Sequence, residues 1–172
     1  RIPFVLEAHE LEEEIVSEVE QLRQQGYSTV FIFKNANVKY LKEEIREVDE
    51  SYFIFLKNIS NVCITIDGYI KEYHIDRAEI SSLINRVTIK MDNFNNKMIY
   101  EVFTRNYLNK QYNIAFTVDE DGLLMESEEK KAVFHCYLPT LEKTGFPFKI
   151  NADFSTDPSR KHLEFDDLTQ ES

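Results

Sequence analysis

Glycine is scarce in this chain: four in 172 residues, Gly26, Gly68, Gly122 and Gly145, spaced too widely for any two to share one phosphate-cradling loop. Neither a Walker loop nor a dinucleotide fingerprint can be built from them. Cysteine is scarcer still. Cys63 and Cys136 sit in strand-like apolar runs without metal-ligand spacing, and read as buried free thiols in a reducing compartment, with a single disulfide as the alternative. His135 beside Cys136 makes no zinc or redox pair, because neighbours in a strand point to opposite faces. No run of about 18 apolar residues exists to span a bilayer and no signal-peptide pattern is present, so a cytoplasmic location without a membrane partner is expected. Basic residues are outnumbered, 20 Lys+Arg against 31 Asp+Glu, for a formal net charge of −11. That balance disfavours direct nucleic-acid contact.

Catalytic groupings are absent from most of the chain. Glu12 to Glu14, Glu43 with Glu44, and Glu128 with Glu129 fall on helix faces or loops and read as solvated surface. No Ser-His-Asp or Cys-His constellation is present, and His9, His74 and His162 are too far apart in the pattern to be ligands.

What is present is core-forming: 42% of residues are apolar and 13% aromatic. Residues 8–25 carry Leu11, Ile15, Val19 and Leu22 at helical spacing, and Gly26 stands where a C-terminal cap belongs. Residues 27–34 (YSTVFIFK) are β-branched and aromatic on both faces, as in a strand inside a covered sheet. After the polar break 35–37, Val38, Leu41, Ile45 and Val48 predict a second amphipathic helix. The run 52–56 (YFIFL) is too short to classify by period. Val62, Ile64 and Ile66 then share one face of a strand, Asp67-Gly68 signals a two-residue hairpin, and 69–75 return. A short helical turn is expected at 80–84. Strands at 87–91 and 98–103 flank a polar turn at 92–96. Further strands are expected at 114–118, 123–125, 132–138 and 146–150, with a turn at 119–122. Asp157 can cap a helix that starts at Pro158 and runs toward Leu168. The fold class is α+β, mostly antiparallel or mixed sheet with a few packed helices. Residues 1–8 (RIPFVLEA) read as the interior of an ordered segment, so a chain excised from a longer protein is expected.

The least hairpin-like stretch is 138–163, LPTLEKTGFPFKINADFSTDPSRKHL, with three of the four prolines. Ser159, Arg160 and Lys161 would occupy the first turn of its helix, where free N–H groups and the dipole attract an anion such as phosphate. Lys149 and Asn151 are nearby alternatives in a strand-like alternation. On the residues alone, an ion pair of Arg160 with Asp153, Asp157 or Glu164 is the simpler account.

This stretch resembles the FLPT…TGLPF…(N/Q)(A/G)DF…SR segment of sacsin-type proteins, whose ATP-binding domain is like that of the ninety-kilodalton heat-shock chaperones. RIPFVLEA is similar to a late strand of that domain. GYSTVFIFKNANVKYLKEEIREVDESYFIFLKNISNVCI resembles the junction from its last strand into the middle domain, while about 67–112 match in strand pattern only. The resemblance implies a gyrase, chaperone, histidine-kinase and MutL-type ATPase. Residues 1–36 would be the last helix and strand of a Bergerat ATP-binding fold, 37–50 a linking helix, and 51–172 a transducer-like middle domain. It implies that Arg160 reaches the γ-phosphate of ATP across the domain interface, although Lys161 stands where chaperones have Glu. The family's catalytic Glu, Mg2+-binding Asn and adenine pocket are not in these residues. ATP and Mg2+ are therefore expected on an upstream domain in cis, with this chain alone inactive and a protein client or a second copy as further partner. A non-enzymatic protein-interaction module is the alternative reading. So is a part of a repair, restriction or phage-defence ATPase whose other domains contact DNA.

Overall fold

The computed structural model describes residues 12–33, 35–91, 96–107, 110–125 and 132–164. The chain divides into two compact units, 1–41 and 42–172. In the first, α1 (Glu13–Gln24) has Glu13 and Glu14 in its first turn and Arg23 in its last, the order the helix dipole favours. Gly26, at φ +96, ends it: its N–H donates to Arg23 O and that of Tyr27 to Leu22 O, a Schellman closure that needs a left-handed residue. Residues 27–33 form no strand, with Phe31 79% and Phe33 80% exposed. The β propensity of this run is real, but a strand exists only where a neighbouring strand pairs with it, and no strand among the described residues does so.

The unit boundary falls within α2 (Val38–Arg46). The second unit is an α+β body built on an eight-stranded sheet: β1 (Asn61–Ile66), β2 (Tyr69–Ser81), β3 (Ile84–Met91), β4 (Asn96–Tyr107), β5 (Lys110–Val118), β6 (Val133–Cys136), β7 (Leu138–Lys143) and β8 (Lys149–Asn151). Its order is β1-β2-β3-β4-β5-β8-β6-β7, and every pairing is antiparallel except β6 with β8. The β1–β2 hairpin closes on Asp67 and Gly68, at φ +50 and +79, as a two-residue turn requires. Where a helical turn is expected at 80–84, β2 instead runs on to Ser81 and reverses through Ser82 and Leu83 into β3. The apolar residues there serve strand pairing, as Ser81 pairs with Ile84. The turn expected at 92–96 lies largely outside the described residues.

Strand alternation sends Tyr73, Ile75, Val87, Ile89, Tyr100, Val102 and Ala115 to one face. The unclassified run 52–56 covers it. Its 3-10 turn (Glu50–Phe53) opens on Asp49, whose carboxylate accepts from Ser51 N at 2.9 Å, and buries Phe53, Ile54 and Phe55. Phe53 meets Tyr73 with ring centroids at 4.8 Å, and Phe55 meets His135 at 4.9 Å. The same alternation turns Cys63 outward between Val62 and Ile64, so this thiol is exposed, contrary to expectation, while Cys136 is buried.

One side chain holds the 52–59 segment on the sheet. Arg77 of β2 donates to the carbonyls of Phe53 (2.9 Å), Leu56 (2.8 Å) and Ile59 (2.7 Å). Charge-assisted bonds of this kind are the strong ones. Replacing Arg77 with Ala is expected to lower unfolding free energy by about 3 kcal/mol, and Arg77→Lys by over half as much, since an ammonium cannot span three acceptors. Urea denaturation of the chain measures both, and equal stability of Arg77→Lys and wild type would show that the fork is dispensable.

Candidate functional site

The expected helix at 157 is not formed. Residues 158–162 make turns and bends, and a bridge joins Thr156 to Leu163. The Asp157 carboxylate accepts from Ser159 Oγ (2.7 Å), Lys161 N (3.0 Å) and His162 N (3.2 Å). Side-chain bonds to backbone of this kind compete with a helix, and here Arg160 N also donates to Asp157 O at 2.9 Å, closing a tight turn with Arg160 left-handed at φ +59. The hydrogen bond from Ser159, with those from His162 and Lys161, holds the half-buried Asp157 carboxyl below its usual range. The helix-dipole argument for an anion at this place therefore falls.

Arg160 itself is exposed, and its guanidinium makes no ion pair with Asp153, Asp157 or Glu164 among the described residues. The simpler account from the residues alone is overturned: Asp157 is occupied by Ser159 and two backbone N–H groups. The loop is anchored instead by its neighbours. Leu141 N of β7 donates to Lys161 O at 2.7 Å, His162 Nδ1 meets Glu142 at 3.0 Å, and Lys161 Nζ reaches Glu44 of α2 at 3.0 Å. Lys161 thus edges a cleft of about 400 Å³ that Glu44, Glu47 and Asp49 make acidic. Ser159 serves to shape the loop.

Lys149 and Asn151 lie elsewhere, buried on the covered face of β8. The Lys149 ammonium stands 5.6 Å from the Tyr100 ring centroid. His135, across the ladder from Asn151, is fully buried, and neither ring nitrogen finds a hydrogen-bond partner among the described residues. Burial, with the Lys149 charge next in weight, pushes its pKa down to about 3.

Asn151 is also part of a row that a reading of the sequence does not assemble. Arg77, Asn85, Thr104, Asn113 and Asn151 follow one another across β2, β3, β4, β5 and β8 at one end of the covered face. With Ile54, Phe55, Val87 and Val102 they enclose a cavity of about 280 Å³. The signal was a polar residue at an inward strand position, but inwardness needs the register. At its mouth Tyr137 adopts φ +64, its N–H donating to Asn151 Oδ1 at 2.7 Å. Among the described residues no three His, Cys, Asp or Glu side chains come together as a metal site, and no helix is long and apolar enough to cross a membrane.

Comparison of the chain with protein-family models, curated proteins and solved structures finds no match.

Two expectations follow. His135 is neutral when folded and protonates below about 6.5 when unfolded, so the unfolded state binds the extra proton as pH falls. Stability is then level in this respect above pH 6.5 and declines toward pH 3 by up to about 1.4 kcal/mol per pH unit. His135→Phe should flatten that decline between pH 6.5 and 4.5 in denaturant titrations. For the half-exposed Lys161–Glu44 pair, a double-mutant cycle with Lys161→Gln and Glu44→Gln should give a coupling of at most about 1 kcal/mol, smaller in high salt.

Proposed function

We propose that this chain is the transducer part of an ATPase of the sacsin and ninety-kilodalton heat-shock chaperone kind, with ATP and Mg2+ held by a preceding Bergerat-type domain and Arg160 as its γ-phosphate contact. The observation that carries this reading is the guanidinium of Arg160, exposed at the tip of a loop fixed by Asp157 and without a carboxylate partner among the described residues. In a protein of net charge −11, a presented but unneutralised cation fits an external anion. A guanidinium brought to a transferring phosphoryl group stabilises the charge spread over its oxygens. Lys161 and Glu44 tie the same loop to α2, so displacement of Arg160 bears on that helix. Lys149 and Asn151, buried in the sheet, have no part in the phosphate contact under this reading.

A second reading, a non-enzymatic protein-interaction module, is favoured by the opposite face of the sheet. There Phe103, Phe116, Phe148 and Phe146 form a partly exposed aromatic row with successive centroids 5.6, 5.1 and 5.1 Å apart. The deciding experiment measures MgATP binding and turnover by the full-length protein carrying this chain, with Arg160→Ala and Arg160→Lys. The transducer reading expects turnover to fall at least about tenfold in Arg160→Ala with ATP affinity within a few-fold. Unchanged turnover, or no ATP binding by the wild-type protein, overturns it.

A further inference from the structure

The cavity beside the 52–59 segment is not explained by a phosphate-sensing arginine on another loop. Its polar wall is a set of donors. Asn151 uses its side-chain oxygen on Tyr137 N (2.7 Å), and Asn113 uses its own on the Thr104 hydroxyl (2.9 Å). The NH2 group of each has no protein hydrogen-bond partner among the described residues, and neither nitrogen is one of the fully buried unpaired atoms, so both open toward the cavity their side chains line. Amide donors that open into a small, partly apolar cavity are placed to give hydrogen bonds to whatever oxygen occupies it.

Charge sharpens the choice of acceptor. The cavity lining includes Lys57 and Arg77 and no acidic residue, in a chain where acids outnumber bases 31 to 20. Lys57 meets the neutral side-chain oxygen of Gln111, so its charge is not cancelled by that partner. Arg77 spends its bonds on three backbone carbonyls but leaves its positive field at the wall. The rest of the lining is apolar: Ile54 and Phe55 from the covering segment, and Val87 and Val102 on the sheet beside Arg77 and Asn85. At about 280 Å³ the space is at the small end for a ligand site. Tyr137 at the mouth holds a left-handed conformation that a bulky residue rarely adopts, a kind of strain that gathers at binding sites.

We propose that this cavity binds a small monocarboxylate with a compact apolar body. The carboxylate oxygens accept from the NH2 groups of Asn113 and Asn151, Lys57 supplies the counter-charge at the rim, and the apolar body lies against Val87, Val102 and Ile54. Amides and one mobile ammonium suit a singly charged planar group. A phosphate would call for a denser set of cations or backbone N–H groups.

The test uses this chain with benzoate as probe and benzamide as its neutral isostere, read by the side-chain NH2 resonances of Asn113 and Asn151 in nitrogen-15 spectra. Saturable benzoate binding that shifts both resonances is expected, with benzamide at least about tenfold weaker. Asn113→Asp and Asn151→Asp keep the acceptor that each residue uses now, remove the donor and add a repelling charge; each should weaken benzoate at least about tenfold. The exposed Lys57→Gln, which leaves the interior untouched, should weaken benzoate a few-fold and benzamide hardly at all. Absence of saturation, equal binding of benzamide, or shifts confined to other residues overturns the proposal. Because none of these readouts involves ATP, they are independent of the role proposed for Arg160.

Discussion

The fork between Arg77 and the carbonyls of Phe53, Leu56 and Ile59 is the constraint on which the second unit depends. A sheet buries only what lies on it, and among the described residues of this unit no long helix covers the sheet. Its cover is a single 3-10 turn and the loop after it, whose backbone groups would otherwise need water. Arg77 satisfies three of those carbonyls from within the sheet, and its hold puts Phe53 on Tyr73 and Phe55 on His135. Lys71 assists from farther along the same face of β2, beyond Ile75 and Tyr73, donating to the carbonyls of Arg46 and Val48 just where α2 ends. A cation at a helix C-terminus is favourable in its own right. The long strand β2 is thus the spine that fastens both the linking helix and the core plug.

Because the cover is short, it cannot close the whole face. It seals the part over Tyr73, Ile89 and Tyr100 and stops at Lys57, where the inward positions change from apolar to polar. The cavity is what remains at that edge. Its polarity is not that of an exposed sheet edge, since Asn113 and Asn151, the end pair of the β5–β8 ladder, are both almost fully buried. Two amides facing each other across a ladder in place of a Val or Ile pair forfeit hydrophobic burial. Their side-chain oxygens offset part of that loss by accepting from Tyr137 N and the Thr104 hydroxyl.

Much of the sheet was readable from alternation and turn chemistry. Val62, Ile64 and Ile66 with Asp67-Gly68 specify a hairpin whose register follows, and Leu22 with Gly26 specifies how α1 ends. What failed did so for identifiable reasons. The run 27–33 has the composition of an interior strand, but composition supplies no partner. Asp157-Pro158 has the look of a helix start, yet its carboxylate bonds forward to Lys161 and His162 instead of seeding a helix. The donor row of the cavity comes from strands β2, β3, β4, β5 and β8, and only the register β5–β8, skipping β6 and β7 in sequence, brings Asn113 beside Asn151. Arg160 was legible as a candidate, while its lack of an ionic partner among the described residues depended on the loop geometry.

Asn151 stands between the cavity and the arginine loop. Its side-chain oxygen holds the N–H of Tyr137, the point at which β6 reverses into β7, and β7 in turn takes the carbonyl of Lys161 through Leu141 N. Contiguity of this sort transmits geometry; it transmits free energy only if some element has two arrangements. Tyr137 is the strained point on this path. Its φ of +64 costs a bulky residue on the order of 1 kcal/mol or more, and a hydrogen bond from Asn151 is of similar worth. A group that accepts from the Asn151 NH2 therefore engages the same amide whose oxygen takes the Tyr137 N–H at this reversal.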